Sequence, residues 1–206
     1  MELNDIFNKV QLHTPSFLGN ARFSKYAVLL PLIKVDQDIH ILFEVRSQQL
    51  RRQPGEICFP GGRMDEEDES ALATAIRETS EELGLTYQHI SDVYPIDFLV
   101  SPYGMIVYPY VGYINDLGAI NPNSSEVGEI FTVPLSFFLE TNPQIYHVHT
   151  KLEPKDDFPY DLIPGGRNYN WQPRKIDEYF YQYENKVIWG LTAVILSHFV
   201  ELLKVK

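Results

Sequence analysis

Glu78, Glu81 and Glu82 fall within one short segment, Arg77-Glu-Thr-Ser-Glu-Glu-Leu-Gly-Leu85. On a helix, residues three and four apart share a face, so the three carboxylates project to one side. Like charges at that spacing repel, and a purely structural helix gains nothing from them. A hard divalent cation reverses the sign: carboxylate oxygens are what Mg2+ prefers, and such ions commonly bridge to substrate phosphates. Just upstream, Phe59-Pro-Gly-Gly-Arg63 cannot continue a regular element. Its glycines let the backbone turn sharply and bring a loop against the carboxylate face. An acidic stretch from Asp65 to Glu69 lies between the turn and the helix. A glutamate-rich helix by itself is most often a solvated face. The ordered combination points instead to a divalent cation held for a phosphate-bearing ligand.

Phosphate also needs local positive charge. The 28 acidic and 17 basic residues give a formal charge of −11, an unfavourable field for an anionic substrate. Arg46, Arg51 and Arg52 sit shortly before the acidic helix and supply what the whole chain lacks. Guanidinium forks bind phosphate oxygens bidentately. Gly61 and Gly62 are placed to let backbone approach the same ligand. His147 and His149 alternate on one strand face without an evident third ligand. Trp171, Tyr169 and Tyr103 are aromatic candidates for stacking or for lining a channel, although packing is the commoner fate of such rings.

These residues need a scaffold. Tyr26 to Lys34 and His40 to Arg46 read as apolar strands joined through Val35-Asp-Gln-Asp, a hairpin. Glu56 to Phe59 is a short strand, and Ser70 to Leu83 a helix with Gly84 as its left-handed cap. Val93 to Val100, Met105 to Ile114 and Glu129 to Val133 read as further strands. Val187 to Leu203 reads as a closing helix with Ile188, Leu191, Ile195, Phe199 and Leu202 at helical spacing. The fold class expected is α+β, a mixed sheet covered on both faces, in one domain over 1–206. An irregular, proline- and glycine-rich loop is expected near 152–179.

The acidic balance argues against a nucleic-acid partner, and no apolar run reaches membrane-spanning length. The first residues do not read as a secretory signal. A single cysteine, Cys58, forms no internal disulfide and suits a reducing, cytoplasmic compartment.

The segment Gly62 to Leu85 resembles the Nudix box, whose usual pattern is glycine, five residues, glutamate, seven residues, then Arg-Glu-apolar-x-Glu-Glu-x-Gly-apolar. Here fourteen positions separate Gly62 from Arg77 where the pattern has thirteen. Either Asp68 or Glu69 fills the first acidic position, and Thr79 takes the apolar one. Arg46-Ser47, Arg51, Gly55 and Phe59-Pro-Gly-Gly62, each three residues apart, resemble the motif preceding the box in coenzyme A pyrophosphatases. Leu42-Phe43 fits the apolar pair before it, and Glu44 replaces a threonine often found there. Trp189-Gly-Leu-Thr-Ala193 resembles that subfamily's C-terminal motif. The resemblance implies a Nudix-type α/β/α sandwich and Mg2+ or Mn2+ held by Glu78, Glu81 and Glu82. Catalytic roles fall to Glu81 and Glu78 and to a glutamate outside the box, for which Ser125-Glu-Val-Gly-Glu-Ile-Phe131 offers Glu126, preferred, and Glu129; substrate contacts fall to Arg46, Arg51, Arg52, Gly61 and Gly62. The implied activity is hydrolysis of the diphosphate of coenzyme A or its derivatives to 3′,5′-ADP and a 4′-phosphopantetheine. Another nucleoside diphosphate derivative such as ADP-ribose is the nearer alternative. A non-catalytic nucleotide-binding regulator is the farther one, disfavoured by the intact glutamates. The expected partner is a small molecule, with neither nucleic acid nor membrane involved and a homodimer left open.

Overall fold

The computed structural model describes residues 2–205. Strands β1 (Ser24–Val35) and β2 (Asp38–Arg46) form the anticipated hairpin, with Val35 paired to Asp38 across a two-residue turn. Asp36 turns the chain at φ 54°, a left-handed conformation that aspartate tolerates better than most side chains. Around this hairpin an eight-stranded mixed sheet is completed by β3 (Ile57–Cys58), β4 (Gly61–Arg63), β5 (Ile90–Pro95), β6 (Leu99–Ser101), β7 (Met105–Ile114) and β8 (Val127–Pro134). The main path runs β3-β2-β1-β7-β5, with β1 and β7 parallel from Ser24 beside Met105 to Ile33 beside Ile114.

Successive side chains of a strand point to opposite faces, and both faces of β1 and β2 are apolar. Leu29, Ile33 and Leu42 pack on one face with Leu83 and Leu85, at and just beyond the C-terminal end of α2 (Ala71–Leu83). Leu30, Ile41 and Phe43 pack on the other. There they meet Phe138 of α3 (Leu135–Glu140) and Leu196 and Phe199 of α4 (Gly190–Lys204). A second sheet of three antiparallel strands, β9 (Gln144–Thr150), β10 (Arg174–Tyr183) and β11 (Lys186–Trp189), joins that same layer through Tyr181 and Ile188. The result is the expected mixed sheet between helices.

Three readings need correction. Val93 to Val100 is two strands, because Asp92 at φ 51° and a register shift between Ser91 and Tyr94 bend β5, which stops at Pro95. Val187 to Trp189 is strand, and the last helix begins only at Gly190 (φ 62°), so Ile188 belongs to a sheet. Arg174 to Tyr179, expected inside the irregular loop, is the first part of β10, so the irregular stretch is 151–173. α1 (Leu3–Gln11) and α3 were not anticipated; α1 buries none of its residues.

Candidate active site

Two glycines bring the loop before α2 against that helix. β4 pairs with β1, setting Gly61 opposite Val28 and Gly62 opposite Ala27. Gly61 lies at φ 151°, and a Cβ there would stand 2.4 Å from the Ala27 carbonyl oxygen. Only glycine fits so close a backbone approach. The Gly61 N–H then donates to Oε2 of Glu82 at 2.8 Å. A Cβ on Gly62 would sit 2.4 Å from the carboxyl carbon of Glu78. The Pro-Gly-Gly turn therefore packs directly on the helix carboxylates.

The helix is held at both ends. Ser70 accepts from the Ala73 N–H at its start, and Gly84 closes it in the left-handed conformation at φ 65°. Beyond that cap the backbone N–H groups of Asn121 and Asn123 donate to the carbonyls of Leu83 and Glu82, both at 2.9 Å. This ties the loop bearing Glu126 to the end of α2.

Arg77 is gripped by Asp68 through two hydrogen bonds of 2.9 Å, from Nε to Oδ1 and from Nη2 to Oδ2. Asp68 also accepts from Thr74 Oγ1 at 2.8 Å and from the Asp65 N–H at 3.0 Å. The Arg77 hydrogen bonds, chiefly, hold its carboxyl well below the usual range. Glu69 is exposed and takes no part. Of Asp68 and Glu69, Asp68 is thus the one that meets Arg77, with Asp65 at 3.7 Å beside it, and the extra position of the segment falls after Asp68. The other edge of the guanidinium reaches Glu78 Oε1 at 2.9 Å and Glu81 Oε2 at 3.2 Å.

The three glutamates differ in depth. Glu82 is buried, and desolvation pushes its pKa up to about 9, with the neighbouring Glu44 carboxylate adding to the effect. Glu78 is half-buried, and burial raises it too, against the pull of Arg77. Glu81 is exposed, paired to Arg77, and lies off the cleft that Glu78 and Glu82 line. The unforeseen member is Glu44, 1% exposed on β2, whose pKa burial raises to about 7. The only visible hint was an acid in an apolar strand, on the same face as Leu42.

A cleft of about 850 Å3 opens over Glu78 and Glu82, while Glu44 and Glu81 are not among the residues that line it. Arg46, Arg52, Gly61, Gly62 and Glu126 line it, whereas Arg51 does not. The Nε of Arg46 is buried without a hydrogen-bond partner. Glu126 is fixed by its backbone, whose carbonyl accepts from the Ser47 N–H at 2.8 Å. Glu129 lies off the cleft and pairs with Lys186 at 2.6 Å. Tyr103 lines the cleft, while Trp171 packs on both Tyr169 and Phe158 inside the irregular loop. His147 pairs with Asp177, not with His149. The far wall comes from the second sheet and α4, notably Ile176, Trp189 and Leu191.

Among the described residues no three His, Cys, Asp or Glu side chains are already gathered into an arrangement that could hold a metal ion. The donor set nevertheless suits one. Buried carboxylates crowd together, their charged forms disfavoured by burial and mutual repulsion, and one oxygen of Glu44 has no partner. A hard cation relieves both conditions.

Helix carboxylates beside a glycine turn, with an arginine in the same cleft, form an arrangement suited to hydrolysis of a phosphoanhydride with a divalent metal. A model of the NUDIX domain matches residues 25–152. The chain is 40% identical over 124 residues to the mouse peroxisomal coenzyme A diphosphatase NUDT7, a match covering 60% of this chain and 52% of that one. It thus spans about half the length of that relative. It is 32% identical over 209 residues to the Nudix hydrolase NudL of Photorhabdus laumondii, covering 100% of both. Among solved structures, a MutT/nudix family protein from Enterococcus faecalis superposes with a TM-score of 0.47 at 14% identity, covering 98% of this chain and 70% of that one. That likeness is too distant to carry weight. The chain belongs to the Nudix family and is a pyrophosphohydrolase, of a kind that generally requires divalent metal ions.

Proposed function

We propose that the substrate is coenzyme A or one of its derivatives, cleaved to 3′,5′-ADP and a 4′-phosphopantetheine with Mg2+ or Mn2+ as the metal. The observation that carries this reading is one cleft holding both Glu78 and Glu82 and the unpartnered, buried Nε of Arg46. A buried donor without an acceptor favours an anionic ligand. The motif from Arg46 to Gly62, shared in pattern with coenzyme A pyrophosphatases, and the mouse relative's name point to the same substrate. Glu78 and Glu82 hold the metal, with Glu81 able to join once it leaves Arg77. When bound, the metal polarises the diphosphate and offsets charge building on the leaving phosphate.

Arg46 and Arg52 bind phosphate oxygens, and the Gly61-Gly62 backbone keeps the diphosphate close to the carboxylates. Glu126 accepts a proton from the attacking water as its oxygen bonds to one phosphorus. The bridging P–O bond breaks, and the bridging oxygen leaves with the other phosphate. The apolar far wall, with Trp189 and Leu191, suits a pantetheine arm.

Incubating the protein with coenzyme A and Mn2+ and resolving the products by chromatography tests the reading. We expect 3′,5′-ADP, with turnover reduced about 100-fold or more in Glu82→Gln. Cleavage of ADP-ribose or a diadenosine polyphosphate alone discards the coenzyme A assignment. Nucleotide binding without any turnover would move the chain to the regulatory class.

A further inference from the structure

Glu44 occupies a place in the fold where a carboxylate is hard to keep. It follows Leu42 on the α2-facing side of β2, while Phe43 between them enters the opposite core. Only 1% of it is exposed. Cys58, directly across the ladder on β3, donates its thiol hydrogen to Oε1 at 3.2 Å. The other oxygen, Oε2, is buried with no hydrogen-bond partner at all. A carboxylate oxygen in that condition destabilises the fold unless something binds it.

The groups around it are mostly of its own sign. Glu126 and Glu78 act on it electrostatically as like charges, and it acts in the same sense on Glu82. Arg46, two residues along the strand, offsets them in part but forms no ion pair with it among the described residues. Glu82 is itself buried, and its Oε2 is engaged by the Gly61 N–H. Two buried carboxylates side by side, one with an open oxygen, are a poor arrangement for packing and a good one for a cation. Protonation would settle Glu44 alone, yet leaves its placement beside Glu82 without a reason.

We infer that Glu44 is an additional carboxylate of this chain's metal site, presenting its free Oε2 to the cation that Glu78 and Glu82 hold. The inference rests on the reading of the cleft as a metal site and is independent of which diphosphate is cleaved. Glu44 stands where the matching motif often has threonine, so the fourth carboxylate is a departure by this chain. It adds negative charge to the site and tightens the hold on a divalent ion.

Calorimetric titration of the metal-free protein with Mn2+ alone, paired with the thermal shift that Mn2+ produces, provides the test. Glu44→Gln keeps the size and can still accept from Cys58. Glu44→Thr keeps the strand and removes the carboxylate altogether, and serves if the glutamine variant does not fold. In either variant Mn2+ binding is expected to weaken ~10-fold or more, with a smaller Mn2+-induced shift and a metal-free melting point no lower than that of the parent. A folded variant with unchanged Mn2+ affinity and shift overturns the inference, as does a parent protein that binds no Mn2+. A variant whose only change is a lower metal-free melting point also overturns it, since that is what a purely structural role gives. No substrate enters the titration, so failure of coenzyme A hydrolysis leaves this result standing, and the converse also holds.

Discussion

A guanidinium gripped by a carboxylate on one edge can set the rotamers of acids on its other edge without touching substrate. Arg77 is placed in that way between Asp68 and the pair Glu78 and Glu81. Asp68→Asn weakens the grip by removing the charge and one acceptor oxygen; activity is expected to fall by about tenfold while the protein stays folded. Glu69→Gln, on the exposed neighbour, should leave it unchanged. Steady-state kinetics of the two variants checks the pair, and equal losses would contradict the placement. At this scale the sequence was informative about residue types and silent about depth. The spacing of Glu78, Glu81 and Glu82 placed them together, but nothing in it distinguished buried Glu82 from exposed Glu81. Arg46 and Arg51 looked equivalent, yet Arg46 at the end of strand β2 reaches the cleft and Arg51 does not, whereas its neighbour Arg52 does. Glu44 was visible as an acid in an apolar strand; its lack of a partner is a property of three elements meeting.

Elements meet here through missing side chains. Gly62→Ala would push a methyl into the Glu78 carboxyl group, whose flexible end can swing aside. We therefore expect weaker Mn2+ binding and lower turnover with a melting point close to the parent's. Gly84→Ala is different. Its φ of 65° disfavours any side chain, and the methyl would lie 2.1 Å from the fixed Asn121 carbonyl oxygen. A loss of about 2 kcal/mol or more in denaturant unfolding is expected, and a loss below about 0.5 kcal/mol would show that the cap does not matter. The start and cap of α2 and the hairpin β1–β2 were legible because capping and alternation are local signals. The break in β5 was not, since a bulge at Asp92 leaves the apolar run looking continuous. Val187 to Leu203 was misread because the alternation of a short strand runs into helical spacing without a gap, and only Gly190 marks the change.

On the scale of the whole molecule, the pairing into a second sheet is what sequence reading missed, although His147 and His149 already read as strand residues. Its strands β9 and β10 flank the proline-rich stretch that hides them, and its pairing is with itself alone. It shares the core of Phe43 and Phe138 and turns Trp189 toward the cleft. For whichever diphosphate the cleft turns over, Trp189→Ala should raise KM by roughly 3- to 10-fold with kcat within about twofold. Trp171→Ala, confined to the ring cluster of the irregular loop, should change neither constant. Reversed results would move the binding wall to that loop. The parallel ladder of β1 and β7 has a further consequence, in time instead of space. Ser24 must find Met105, and the loop between them contains β2, α2 and β5. Closing so long a loop is entropically slow, whereas hairpins and helices form in microseconds. The hairpin and α2 are therefore expected to be early, fluctuating structures that wait for β7 before the sheet between the two cores is complete. During that wait the unfinished sheet exposes its apolar faces, so refolding yield should fall with protein concentration.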